Sequence, residues 1–232
     1  MNPILAGVAL AVVAGTVVAI SGRDARITVL GLTVALVASP LLADPAATPL
    51  GLAARLTGAI LAGYLLGIVA RDRPEAGRSV ANTGGSRIGW PAEVLIAAGA
   101  LIVGFGTHGL GAPAGGSALG SATGFAVAAL ALAPILTGRD ILRVGIGSLL
   151  LVDGGLTVRS ALGGTPGDFE QLIAAGTLVV LAGVLAALAS RARSDGRDGF
   201  AMDADEPLPG RGFGTRGRRR RREPDAHPIE SR

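Results

Sequence analysis

A carboxylate lies where carboxylates are costly. In GRDILRVGIGSLLLVDGGLTVRSAL (138–162), Asp153 falls near the middle of an apolar run long enough to cross a bilayer as a helix. An acid at that depth costs about 2.5–3.5 kcal/mol on insertion scales, and acids kept there serve ion pairs, proton paths or subunit contacts. Its own helix offers no counter-charge. Arg143 lies ten residues before it and Arg159 six after, so neither shares its face. Both sit near helix ends, where long side chains snorkel to the interface. Leu149, Asp153, Thr157 and Ser160 do share a face, and it is too polar for lipid. Arg55 and His108 fall near the outer ends of their spans, leaving no basic residue at the depth of Asp153. Two readings stay open. Asp153, with Thr157 on its face, is a proton-path or subunit-contact carboxylate whose partner is on another polypeptide. Or it is a neutral acid bonded to its own helix, where Gly154-Gly155 loosens the backbone.

Other chemistries find little support. Cysteine is absent, which rules out disulfides and thiolate-held metals within this chain. His108 and His227 are far apart and make no metal site by themselves. There is no Walker loop, no HExxH and no Ser/His/Asp arrangement with supporting context, and Gly115-Gly116 lacks the strand-to-helix setting of a phosphate loop. No catalytic, cofactor-binding or metal-ligating residue is assigned, and no cofactor is expected. Every basic residue is Arg, so a titrating lysine is unavailable, and the abundance of Ala, Gly and Arg suggests a GC-rich bacterial genome. In Trp90-Pro91-Ala92-Glu93 an interfacial aromatic and a proline open a helix, and Glu93 reads as an acid favoured by its positive end.

These residues need helices to hold them. Half of the 232 residues are hydrophobic, in blocks of about 20. Barrel strands alternate in polarity over about ten residues, so the class is an all-α polytopic membrane bundle. Seven spans are expected, at 3–21, 26–43, 52–70, 91–108, 119–137, 141–162 and 171–190. With the C-terminus in the cytoplasm, only Arg55 and Arg159 of the 21 arginines fall outside, which places the N-terminus outside by the positive-inside rule. The first apolar run has basic residues after it and none before, so it reads as a true span and not a signal peptide. The expected location is a bacterial cytoplasmic membrane. Residues 1–192 form the transmembrane domain. Residues 193–232 read as a disordered cytoplasmic tail, rich in Gly, Pro, Asp and Arg and including GTRGRRRRRE (214–223). Its arginines suit anionic lipid headgroups; nothing aromatic interleaves them, so nucleic acid is not expected.

Two pairs of segments resemble each other in order. GRDARITVLGL (22–32) matches GRDILRVGIGS (138–148), and LAGYLLGIVARDR (61–73) matches LAGVLAALASRAR (181–193). The pattern predicts two parallel three-helix repeats, spans 1–3 and 5–7, linked by span 4. Ala59, Gly63 and Gly67 recur at four-residue spacing in the third span, a ridge suited to close helix packing. Pro40 and Pro134 predict kinks in spans 2 and 5.

The last two spans resemble a known family. Arg139-Asp140-Ile141-Leu142-Arg143, then Asp153-Gly154-Gly155, followed by PGDFEQLIAAGTLVVLAGVLAALASRAR (166–193), is similar to the end of hydrogenase-4 component E subunits. Those are related to the K-type subunit of NADH–quinone oxidoreductase and the C-type subunit of multisubunit cation/proton antiporters. The detailed match covers about 55 residues; the remainder agrees in layout. The resemblance implies a membrane-arm subunit without redox cofactor in a complex-I-like or group 4 nickel–iron hydrogenase assembly. It would pack against antiporter-like subunits, with its acids in the lateral proton path and Arg139, Asp140 and Arg143 in a cytoplasmic loop motif. The family's glutamate is Asp153 here, its acid in the last helix is missing at Ala175-Gly176-Thr177, and its basic residue in the third span is absent near Ile60-Leu61. An independent small transporter or channel, and an orphan membrane scaffold, are the alternative readings.

Overall fold

A computed structural model describes residues 3–22, 24–43, 47–71, 89–109, 117–138, 141–164 and 166–194. All regular structure among them is helical: α1 (Pro3–Ser21), α2 (Ala25–Ala38) with a 3₁₀ turn (Ser39–Leu42), α3 (Pro49–Arg71), α4 (Trp90–Gly109), α5 (Ala118–Thr137), α6 (Ile141–Gly163) and α7 (Asp168–Ser194). Local chemistry sets the boundaries. Asp24 caps α2 by accepting from the Arg26 N–H at 3.0 Å, and Ser117 caps α5 by accepting from Gly120 N–H at 3.0 Å. Pro40 cannot continue the α-helical ladder, and α2 tightens into its 3₁₀ turn there. α7 begins earlier than the span predicted from hydropathy, because Asp168 and Glu170 are accommodated in its first turn.

Six helices are long and apolar enough to cross a membrane; in α4 the apolar stretch Pro91–Thr107 is shorter. α4 packs chiefly against α5. Its last turns lie against the first turns of α5, with Thr107 and Ser121 hydroxyls 3.3 Å apart and the Ser121 hydroxyl donating to the Gly104 carbonyl at 2.9 Å. Large apolar side chains such as Ile4, Leu95 and Leu136 face outward, while Leu32, Leu36, Leu66, Leu130, Leu149 and Leu150 fill the interior. Helices that are apolar all round fit a multi-pass membrane bundle.

The two repeats share backbone geometry. Gly22 N–H donates to the Val18 carbonyl at 3.0 Å after α1; Gly138 N–H donates to the Pro134 carbonyl at 2.9 Å at the equivalent place after α5. A Cβ on Gly31 would stand 2.7 Å from the Gly15 oxygen, and one on the matching Gly147 would stand 2.9 Å from the Ala131 oxygen. The third helices, α3 and α7, run parallel. Thr48 bonds Asp168, Gly51 backs onto Gln171, and Gly58 lies against Ala175. Equivalent levels of the two helices therefore meet.

The predicted ridge on α3 is partly corrected. Ala59 is fully buried and Gly63 admits the Thr33 side chain of α2, but Gly67 faces open space. Close packing on α7 comes instead from Gly51 and Gly58, on another face of α3.

Candidate functional site

Asp153 does have a cationic partner, and it belongs to the same chain. The Arg55 Nη2 donates to Asp153 Oδ1 at 2.9 Å, and both side chains are buried. The expectation of a partner on another polypeptide is therefore corrected. So is the reading of Arg55 as a group confined to the outer end of its span. Position along the helix axis locates a Cα, whereas an arginine head moves several ångströms on its flexible stem. Here the stem runs inward. Gly51 and Gly58 lie four residues before Arg55 and three after, on its face of α3. Lacking side chains, they let α7 close over that face, and the arginine side chain is buried. The sequence held that signal, an arginine between two glycines inside an apolar span.

A third element completes the site. Where α2 breaks at Pro40, Ser39 turns its hydroxyl to Asp153 Oδ1 at 2.8 Å. Ser39 is buried and was not anticipated from sequence. Thr157 is buried on the face of Asp153 as predicted, but its hydroxyl donates to the Asp153 backbone carbonyl at 2.9 Å and does not touch the carboxylate. Ser160 continues the chain by donating to the Thr157 carbonyl at 2.9 Å. Two polar atoms of the pair, Arg55 Nε and Asp153 Oδ2, are buried without a hydrogen-bond partner.

Beside the pair is a cavity of about 20 Å³ whose polar lining is Ser39, Arg55, Thr157, Ser160 and Gln171. That volume accommodates roughly one water molecule. Ala43, Ala47 and Pro166, in the connections at that end of the bundle and partly exposed, form its rim. Asp153 lies behind Arg55 and does not line the cavity. Gln171 is fixed by donating its amide to the Pro166 carbonyl at 3.2 Å.

The remaining sequence-predicted residues fall elsewhere. Arg143 reaches the Gly22 carbonyl at 3.5 Å, tying the start of α6 to the end of α1. Arg139 and Asp140 lie outside the described residues, as does the arginine-rich tail. Arg159 pairs with Glu170 at 2.8 Å on the exposed side of α6 and α7. Glu93 is in the first turn of α4 as expected, yet it is fully buried and neither carboxylate oxygen has a partner.

The site is thus a buried guanidinium–carboxylate pair, crossed by one serine hydroxyl and bordered by a small polar cavity. Such a pair can exchange a proton, because protonating the acid loosens its hold on the arginine. No family model, curated protein or solved structure matches the chain.

Proposed function

We propose that this chain is a non-catalytic membrane subunit carrying one charged step of a proton path in a complex-I-like or group 4 nickel–iron hydrogenase assembly. The observation that carries the reading is the Arg55–Asp153 pair, buried between α3 and α6, with Asp153 opening the D-G-G segment that, following R-D-I-L-R in the sequence, resembles the component E family. Buried ion pairs are poor stabilisers, since desolvation offsets most of the attraction, so their retention in a membrane favours a charge-handling role. Arg55 also supplies a basic group in the third helix, five residues before Ile60-Leu61, where this chain lacks the family's basic residue. Membrane-arm subunits of antiporter type are its expected partners, and the arginines at 216–222 are expected to rest on anionic headgroups.

The test is recovery in mild detergent from the native membrane. Nickel–iron and antiporter-like polypeptides should co-purify, and Asp153→Asn should lower proton pumping by the recovered complex at least several-fold. Isolation of the chain without partners would overturn the subunit reading.

A second reading, an independent small transporter, is favoured by a specific observation. The acid is neutralised inside its own chain, next to a broken helix and several converging polar groups, the pattern of transporter binding sites. The chain reconstituted alone should then conduct protons.

Orientation follows the arginines, with the end of the bundle holding Arg71 and Ile141 in the cytoplasm. Reporters fused at residues 46, 113 and 165 should all read as external. A cytoplasmic signal at 113 would reverse α4 and break this topology.

A further inference from the structure

We propose that the cavity beside Arg55 is a binding site for a small monovalent inorganic anion, occupied when Asp153 takes up a proton. The inference rests on the reading of Asp153 as a proton-exchanging carboxyl. It adds the ligand that keeps the site neutral.

The argument is one of charge balance. With Asp153 ionised, the pair is neutral and the guanidinium is satisfied on Nη2 at 2.9 Å. A proton arriving on Asp153 leaves Arg55 as an uncompensated cation in a buried setting, which is strongly unfavourable. Among the described residues no other acid is placed to replace Asp153: Glu93 lies in the first turn of α4, whereas it is the last turns of α4 that meet the start of α5. Neither α1 nor α5 contains a charged residue, and the charged residues of α2 and α6 other than Asp153 are Arg26, Arg143 and Arg159. On α3 the remaining charge is Arg71, at the opposite end. On α7, Asp168 is bonded to Thr48 and Glu170 to Arg159, both at the exposed end of the helix. With no other described acid in reach, neutrality comes from outside, through the cavity that Arg55 lines.

The lining selects the ligand. Among the described residues Arg55 Nε has no acceptor. The Ser39, Thr157 and Ser160 hydroxyls already donate within the chain, but Gln171 keeps a second amide hydrogen, and among the described residues no carboxylate lines the space. A lining that holds a guanidinium and no described carboxylate suits an anion and disfavours a metal cation. A volume near 20 Å³ limits the anion to about the size of a water molecule, a halide more than an organic acid. Proton and anion then enter as a neutral pair, each raising the affinity of the site for the other by the same factor.

The test uses the purified full chain in detergent with chloride as the probe. Adding chloride to the weakly buffered wild-type protein should draw about one proton per anion from solution. Chloride affinity should rise about tenfold for each unit that the pH falls across the loading range. Asp153→Asn keeps the shape and removes the negative charge, so it should bind chloride with no pH dependence and no proton uptake. The double variant Arg55→Gln/Asp153→Asn is neutral without a ligand and should bind none. Absence of chloride binding by Asp153→Asn, or equal binding by the double variant, would overturn the anion site. Proton exchange by Asp153 is read separately, from a carboxyl infrared band in the wild type that follows pH without chloride and is missing in Asp153→Asn. Chloride binding by Asp153→Asn without that wild-type band would retain the anion site and reject the proton reading.

Discussion

Arg55→Leu is expected to destabilise the protein by about 3–5 kcal/mol, and Arg55→Leu/Asp153→Leu is expected to recover most of that loss. The single change leaves Asp153 buried with only the Ser39 hydroxyl for company. Asp153→Leu should be similarly harmful, because it strands a guanidinium that α7 covers. The double change removes both desolvation penalties and puts apolar side chains into a bundle already rich in leucine. Ser39→Ala removes one hydrogen bond and should cost nearer 1 kcal/mol. Reversible unfolding in detergent micelles, run as a double-mutant cycle, measures all four. Small and additive effects of the two single changes would mean that Arg55 and Asp153 do not interact. The prediction also separates stability from function, since the double variant should be well folded yet unable to carry charge.

Gly154→Leu is the second large effect. The glycine stands next to Asp153 on α6, and a Cβ there would lie 2.8 Å from the Ala128 backbone nitrogen and 3.0 Å from the Gly124 oxygen. Both obstacles are main-chain atoms of α5 and cannot rotate away. The helices must separate, at a cost of about 1–3 kcal/mol or more, with loss of the small-residue contact that lets membrane helices approach closely. Gly155 is the control. Nothing lies within 4 Å of a Cβ at that position, so Gly155→Ala should gain about 0.5–1 kcal/mol from helix propensity. Melting temperatures of the two variants should move in opposite directions. Equal tolerance at both positions would mean that α5 and α6 are not in such close contact.

The number of helices and their approximate limits were legible because a membrane span announces itself. Every backbone polar group must be satisfied within the segment, so long apolar runs become helices whatever surrounds them. The repeat was legible too: matched GRD segments follow α1 and α5, and the structure gives those hairpins the same close contacts. Asp153 was also legible as an anomaly, since an acid among leucines needs no coordinates to be noticed. Its partner was not. Hydropathy and helical spacing describe one helix at a time, and Arg55 precedes Asp153 by 98 positions, with two further helices between α3 and the site on α6. Ser39 was hidden for the same reason, being presented only because α2 loosens at Pro40 beside α6. Gly67 shows the converse: its spacing fitted a packing ridge, but among the described residues nothing lies within 4 Å of a Cβ there. Depth along a span was fixed by the sequence, through a rise of about 1.5 Å per residue. Which faces meet was fixed only by packing, because seven helices that are apolar on nearly every side can be arranged in many ways. The glycines at 51, 58, 124 and 154 selected the one in which an arginine is turned inward onto an aspartate.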